Sequence, residues 1–145
     1  MSSIALRVGC VGTLLLAACG LDPDVGGSTY ALRSIAGIPL PAPYAQNPQF
    51  AGRIMSASIV LREDGTGEWR TVTEDSLGGP THAGTAELTY TQRAGAITIS
   101  LVCNDMGACI APPHLVGEVT SGGRAIDFPL SRITRAPLSY ERINR

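Results

Sequence analysis

Two cysteines and a histidine are the residues of this sequence whose spacing comes nearest to a metal site. Cys103 and Cys109 flank a short segment that contains Asp105, and His114 follows soon afterwards. Thiolate and imidazole groups are suitable ligands for zinc or copper. In an exported protein, the same two cysteines would instead form a disulfide that closes a hairpin loop. We predict the disulfide, with a metal site or two free thiols as the alternatives.

A second group of candidates consists of carboxylates around one predicted hairpin. Paired carboxylates can exchange protons with a substrate, but these lie at turns and strand ends, where solvation is the ordinary state. His82 lies in a polar loop and is expected to be solvated. The chain has no Gly-x-Ser-x-Gly motif and no phosphate-binding or dinucleotide fingerprint. We therefore predict a non-enzymatic protein with no metal and no cofactor. The carboxylates are Glu63, Asp64, Glu68, Glu74 and Asp75.

The first residues of the chain have the pattern of an export signal. Arg7 precedes a stretch from Val8 to Ala18 that contains no charged residue. A positive charge followed by a short apolar run is typical of a secretory signal peptide. The run is too short for a membrane-spanning helix, which needs about 20 apolar residues. Residues 1–18 are therefore predicted to be removed, together with Cys10.

The end of this segment, Leu16-Ala17-Ala18-Cys19, resembles the lipobox of bacterial lipoproteins. The resemblance implies that Cys19 carries diacylglycerol and becomes the first residue of the mature protein. Two or three acyl chains hold a protein stably at a membrane, whereas a single chain does so only marginally. In enteric-type sorting an Asp after the lipidated cysteine favours the inner membrane. Gly20 stands there instead, which favours the outer membrane, with the domain facing the periplasm.

The composition and length of the chain limit the classes of binding partner and the number of domains. The formal net charge is −1, with 11 basic and 12 acidic residues, which argues against a nucleic-acid partner. Residues 19–28, rich in Gly, Asp and Pro, are predicted to form a lipidated tether. Residues 29–145 have the length of one domain, which we expect to be a monomer held at the membrane by the lipid on Cys19.

The predicted domain consists of short segments in which apolar and polar residues alternate, which is typical of β-strands with one buried face. The clearest hairpin spans residues 85–103, with Arg93-Ala94-Gly95 as its turn. Segments 41–53 and 75–83 contain Pro and Gly and are predicted to be loops. One predicted strand places four side chains on a single face: Met55, Ala57, Ile59 and Leu61.

This pattern predicts an all-β fold of about seven or eight antiparallel strands. A small up-and-down barrel is the first choice, because closure removes exposed strand edges. A two-sheet β-sandwich is the alternative. A barrel of this size either is filled by its side chains or holds one small ligand. Trp69 and Tyr90 are then core residues or, in a hollow barrel, ligand-binding residues.

A family resemblance points the same way. The run Tyr30-x-Leu32-x-Ser34-Ile35-x-Gly37-x-Pro39-Leu40-Pro41, followed by a strand ending in Leu61-x-x-Asp64-Gly65-Thr66-Gly67, resembles the small lipocalin-like lipoproteins of bacteria. The resemblance covers about the first third of the domain; it implies a small barrel and carries over no catalytic residue. It favours a module that binds a small apolar ligand. The alternative is a protein-interaction or protease-inhibitor module acting through loops 41–53 and 103–109.

Overall fold

The computed structural model describes residues 24–43, 52–75, 78–102, 114–129 and 135–144. Within these ranges the chain forms ten β-strands and no helix. The strands are β1 (Ser28–Ile35), β2 (Ile38–Pro39), β3 (Ala42–Pro43), β4 (Arg53–Leu61), β5 (Thr66–Glu74), β6 (Thr81–Arg93), β7 (Ala96–Leu101), β8 (His114–Thr120), β9 (Ala125–Phe128) and β10 (Leu138–Asn144).

Eight of these strands close into an antiparallel barrel. From β4 to β10 each strand pairs with its neighbour in sequence, and β1 pairs with both β10 and β4. Two short strands lie outside this closed ring: β2 pairs with the end of β1, and β3 pairs with the start of β4. The predicted up-and-down barrel is therefore confirmed, and the fold is not a two-sheet sandwich.

The barrel interior is lined by the apolar side chains that alternation places on the inner face of each strand. In β7, for example, Ile97 and Ile99 are completely buried, whereas Thr98 and Ser100 between them are partly exposed. Aromatic rings occupy one side of the interior, where Phe128 and Tyr140 pack edge to face with centroids 5.8 Å apart. Burial of these side chains stabilises the fold, because each removes apolar surface from water.

A β-bulge changes the inner face of β4. The register of β4 against β5 shifts between Ile54 and Ser56, so Met55 is an additional residue in the strand. A bulge of this kind reverses the alternation on one side of it. Ile54 is consequently buried with Ala57, and Met55 is partly exposed. The prediction that Met55 shares the inward face was wrong.

The barrel has one end with short turns and one end with long connections. We call the end formed by turns 62–65, 94–95 and 121–124 the floor. The strand ends that are joined through longer segments all lie at the opposite end, which we call the rim: those of β1 and β4, β5 and β6, β7 and β8, and β9 and β10. The tightest floor turn has two residues, Ala94 and Gly95, both with positive φ, which is the geometry that two-residue hairpins favour.

Tyr30 and Arg142 close the floor. The buried Tyr30 hydroxyl donates a hydrogen bond of 2.7 Å to the carbonyl oxygen of Gly123. The same hydroxyl accepts a hydrogen bond of 2.8 Å from Nη2 of Arg142, whose guanidinium lies 5.4 Å from the centre of the Tyr30 ring. This arrangement joins the first strand, the last strand and the turn between β8 and β9.

The chain is already packed against the floor before β1 begins. Val25 is completely buried, and Ser28 is the first residue of β1. The folded domain therefore reaches at least to Val25, although the composition of residues 19–28 predicts a free tether.

Candidate functional site

Trp69 and Tyr90, the two predicted ligand-binding residues, both lie on inward faces but at different depths. Trp69 is at mid-height, level with Ile59 on β4 and Ala86 on β6, and is 8% exposed. Tyr90 is four residues from Ala86 toward the floor, about 13 Å along the strand. Its hydroxyl donates a hydrogen bond of 2.6 Å to the carbonyl oxygen of Arg62. Tyr90 therefore helps to seal the floor, and only Trp69 faces the middle of the barrel.

Trp69 and Tyr140 bring two polar atoms into this apolar interior. Tyr140 is 1% exposed, and its burial raises the pKa of the phenol well above its ordinary value. The indole of Trp69 lies close enough to the phenol to offset a part of that increase. Nevertheless, neither Trp69 Nε1 nor Tyr140 Oη has a hydrogen-bond partner of acceptable geometry among the described residues. Leaving a buried polar atom unpaired costs about 1–3 kcal/mol, so this pair is a place where an added acceptor would be stabilising.

Between the level of Trp69 and the rim, the inner faces of β4, β5 and β6 carry Ile54 and a group of smaller residues. We call this surface the upper wall: Ala57, Thr71, Thr73, Gly84 and Ala86. Cross-strand pairing joins these residues across β4, β5 and β6. Gly84 is exposed, and Ala86 is half-buried beside the Trp69 ring. The upper wall thus runs from the buried Ala57 to the solvent-exposed Gly84, with the indole below it.

The predicted cluster of carboxylates is divided between the two ends of β5. At the floor end, Asp64 accepts a hydrogen bond of 2.6 Å from the Thr66 hydroxyl, which lowers the pKa of this carboxyl. Glu68 lies between Arg70 and Arg62, and its hydrogen bonds to Arg70 are the main cause of its lowered pKa. Asp64 and Glu68 are therefore held as carboxylates by their neighbours.

At the rim end of β5, Glu74 is buried against Arg53 on β4. One carboxylate oxygen is 2.6 Å from Arg53 Nη2, and the other accepts a hydrogen bond of 2.9 Å from the amide of Gly78. The hydrogen bond from Arg53 is the main cause of the lowered pKa of Glu74. The pair therefore joins the start of β4 to the end of β5, beside the bulge.

We expect Glu74→Gln to reduce the loss of stability on acidification. Because the folded-state pKa of Glu74 is below its ordinary value of 4.5, the charged pair stabilises the fold above that pH. This contribution is lost as the pH falls through the lower, folded-state pKa. Wild-type stability should thus fall between about pH 5 and about pH 3 by more than that of the variant. Urea unfolding at several pH values measures the difference.

The control for this experiment is Glu87→Gln, which removes an exposed carboxylate from the neighbouring strand β6. Its acid profile should follow the wild type. Equal profiles for the Glu74 and Glu87 variants would show that the Arg53–Glu74 pair does not contribute to acid sensitivity.

The two histidines lie in different surroundings. His82 Nε2 is 2.8 Å from a carboxylate oxygen of Asp75, and both side chains are about half exposed. His114 Nδ1 is 2.7 Å from the Ser100 hydroxyl, across the β7–β8 pairing and on an exposed part of the surface. Among the described residues no three His, Cys, Asp or Glu side chains converge as metal ligands.

The cysteine predictions fall on residues outside the described ranges. This holds for the lipidated Cys19 and for Cys103 and Cys109, together with Asp105 between them. The disulfide and the lipid anchor therefore remain predictions.

Sequence reasoning missed Tyr140 as a site residue. Alternation in Leu138-Ser139-Tyr140 predicts that its ring faces inward, and it does. Its proximity to Trp69, however, depends on the closure of the barrel, which no local pattern specifies.

None of the described segments contains a helix that is long and apolar enough to cross a membrane. The chain matches no protein-family model, no curated protein and no solved structure with which it was compared.

Proposed function

We propose that this protein is a non-enzymatic lipoprotein of the bacterial envelope that binds one small, uncharged, apolar molecule inside its barrel. The lipid on Cys19 anchors it at the membrane, with the domain in the periplasm. The ligand lies against the upper wall, above the indole of Trp69. The observation that carries this proposal is a pair of buried polar atoms, Trp69 Nε1 and Tyr140 Oη, that have no hydrogen-bond partner of acceptable geometry among the described residues.

The chemistry of these two atoms selects the ligand. An indole N–H is only a donor, and a phenol hydroxyl can donate as well as accept. A carbonyl oxygen has two lone pairs and could accept hydrogen bonds from both groups. A carboxylate fits less well, because burying a charge without a cationic partner is costly. Arg142, the basic side chain nearest to this level on β10, is engaged with Tyr30 at the floor. The ligand class is therefore an apolar ketone, ester or amide.

The upper wall supports the same conclusion from its shape. Ligand pockets are mostly apolar and contain a few polar groups that fix orientation. Here Ala57 and Ala86 supply the apolar surface and Trp69 the aromatic one. A bulky residue on this surface would occupy the space of the ligand.

We expect Ala86→Leu to weaken ligand binding by at least about tenfold, because the larger side chain covers the Trp69 ring. The probe is Prodan, an uncharged naphthalene ketone whose emission responds to polarity. Trp69 is the only tryptophan in the chain, so energy transfer from Trp69 to Prodan reports binding to the domain, and the Ala86 variant locates it. Dimethylaminonaphthalene, which lacks the ketone, should bind more weakly to the wild type.

Thr85→Leu is the matched control, because Thr85 is adjacent in β6 but lies on the exposed outer face. It should bind Prodan as the wild type does. Native mass spectrometry of protein purified without heating should show the natural ligand. If the mass is bare and Prodan binds all three proteins equally, ligand binding in the barrel is refuted, and interaction through loops 41–53 and 103–109 becomes the leading function.

A further inference from the structure

Two hydrogen bonds fix the start of the described chain to the floor, and a third stabilises the turn within that segment. The Val25 amide donates to Gln92 Oε1 at 3.3 Å, and the Gly26 amide donates locally to the Asp24 carboxylate at 2.9 Å. The carbonyl oxygen of Asp24 accepts a hydrogen bond of 3.1 Å from Arg142. With Val25 completely buried, the chain is held in place from Asp24 onward. The link to a lipid on Cys19 therefore consists of residues 20–23.

This link is shorter than the barrel is tall. From Cys19 to Asp24 an extended chain reaches at most about 18 Å. Strands β1, β4 and β5, which take part in closing the barrel, have eight or nine residues each, which is about 28 Å along the strand. A strand tilt of about 40° reduces this to a height of about 22 Å. A barrel tethered from its floor by so short a link cannot turn its rim to the bilayer.

We infer that the floor lies against the phospholipid headgroups of the membrane that holds the anchor, and that the rim points away from it. The inference rests on the proposed lipidation of Cys19. It gives the floor a partner, the polar headgroup layer.

The surface of the floor has the composition that a headgroup layer requires. Its turns carry exposed side chains of both charges, including Arg62, Glu63, Asp64 and Arg124. Such groups remain hydrated and match zwitterionic headgroups, but they would not enter the hydrocarbon. Ile143, near the floor end of β10, is 54% exposed and adds one apolar contact. The floor is therefore suited to lie on the bilayer and not to penetrate it.

Energy transfer from the two ends of β6 tests this orientation. Arg93 and Thr81 are both exposed and stand at the floor end and the rim end of the same strand. An azide-bearing amino acid at either position allows a donor dye to be attached without changing the native cysteines. The full lipidated chain is placed in phosphatidylcholine–phosphatidylethanolamine vesicles that contain a headgroup-labelled acceptor. Donor quenching at position 93 should exceed that at position 81 by at least about twofold.

A variant with a longer linker shows whether the short tether causes the orientation of the domain. Insertion of about twenty Gly and Ser residues after Gly20 adds a flexible chain comparable to the height of the barrel. The difference in quenching between the two positions should shrink. If the insertion leaves the difference unchanged, the length of the tether does not orient the domain, and the inference fails.

The failure of the anchor and the failure of the orientation give different results. Equal quenching at both positions, with the lipid mass present on Cys19, overturns the orientation alone. Absence of that mass and of vesicle binding overturns the proposed anchor and the orientation together. Quenching that is stronger at position 81 would place the rim at the membrane, contrary to the inference.

Discussion

Gly67→Ala is expected to destabilise the barrel by about 3 kcal/mol. Gly67 is buried on β5, opposite Leu61 and Leu88. A Cβ atom at this position would overlap the carbonyl oxygen of Val60 and lie 2.8 Å from Cδ1 of Leu88. The Leu88 side chain could rotate, but the Val60 backbone is paired on both sides, with β1 and with β5. The clash can therefore be relieved only by separating strands, and urea unfolding should show a lower midpoint.

Gly84→Ala is the control for this prediction, because it makes the same change on the neighbouring strand. Its Cβ would meet only the Thr71 hydroxyl oxygen, at 3.3 Å, and a hydroxyl can move by a few tenths of an ångström. We expect a change in unfolding free energy within about 1 kcal/mol, with part of any strain offset by the lower backbone entropy of Ala in the unfolded chain. If the two variants are equally stable, the close approach of β4 and β5 at Gly67 is incorrect.

The strands were predictable because one face of each is buried, and burial leaves a period of two in the sequence. The β6–β7 hairpin is the clearest case: the predicted turn at Arg93-Ala94-Gly95 is confirmed by two residues with positive φ. The bulge at Met55 left no such signal in the sequence. An additional residue in one strand can be recognised only when the pairing with the neighbouring strand is known. The short strand β3 and the start of β6 lie in segments predicted to be loops, 41–53 and 75–83. β3 has only two residues, one of them a proline, and is too short to show alternation.

The candidate site was only half predictable, for a related reason. Alternation indicates that Trp69 faces inward, but the identity of its neighbour depends on which strands close the barrel. The pairing of β1 with both β4 and β10 brings the two ends of the chain together. Tyr140 reaches the interior beside Trp69 only through that non-local contact, and the same closure creates the Tyr30–Arg142 arrangement at the floor.

We expect Tyr30→Phe and Tyr140→Phe to change stability in opposite directions. Both rings are at most 1% exposed, so the two substitutions remove the same atom from comparable burial. At Tyr30 the lost hydroxyl leaves the buried Gly123 carbonyl without its donor and Arg142 without its acceptor. Because a charged group is involved, the cost should be about 2 kcal/mol. At Tyr140 the hydroxyl has no partner of acceptable geometry within the described part of the chain, so its removal should stabilise the ligand-free fold by up to about 1 kcal/mol.

The Tyr140 variant also links stability to the proposed function. If the Tyr140 hydroxyl destabilises the ligand-free barrel, its benefit must come from a hydrogen bond to the ligand. Tyr140→Phe should therefore bind Prodan about fivefold more weakly than the wild type. The same variant should unfold at a higher urea concentration. Tyr30→Phe, at the floor, should lose stability without a comparable loss of affinity in urea-free buffer. If Tyr140→Phe is destabilised as much as Tyr30→Phe, the Tyr140 hydroxyl already has a partner within the fold. The unpartnered pair would then no longer support a ligand in the barrel.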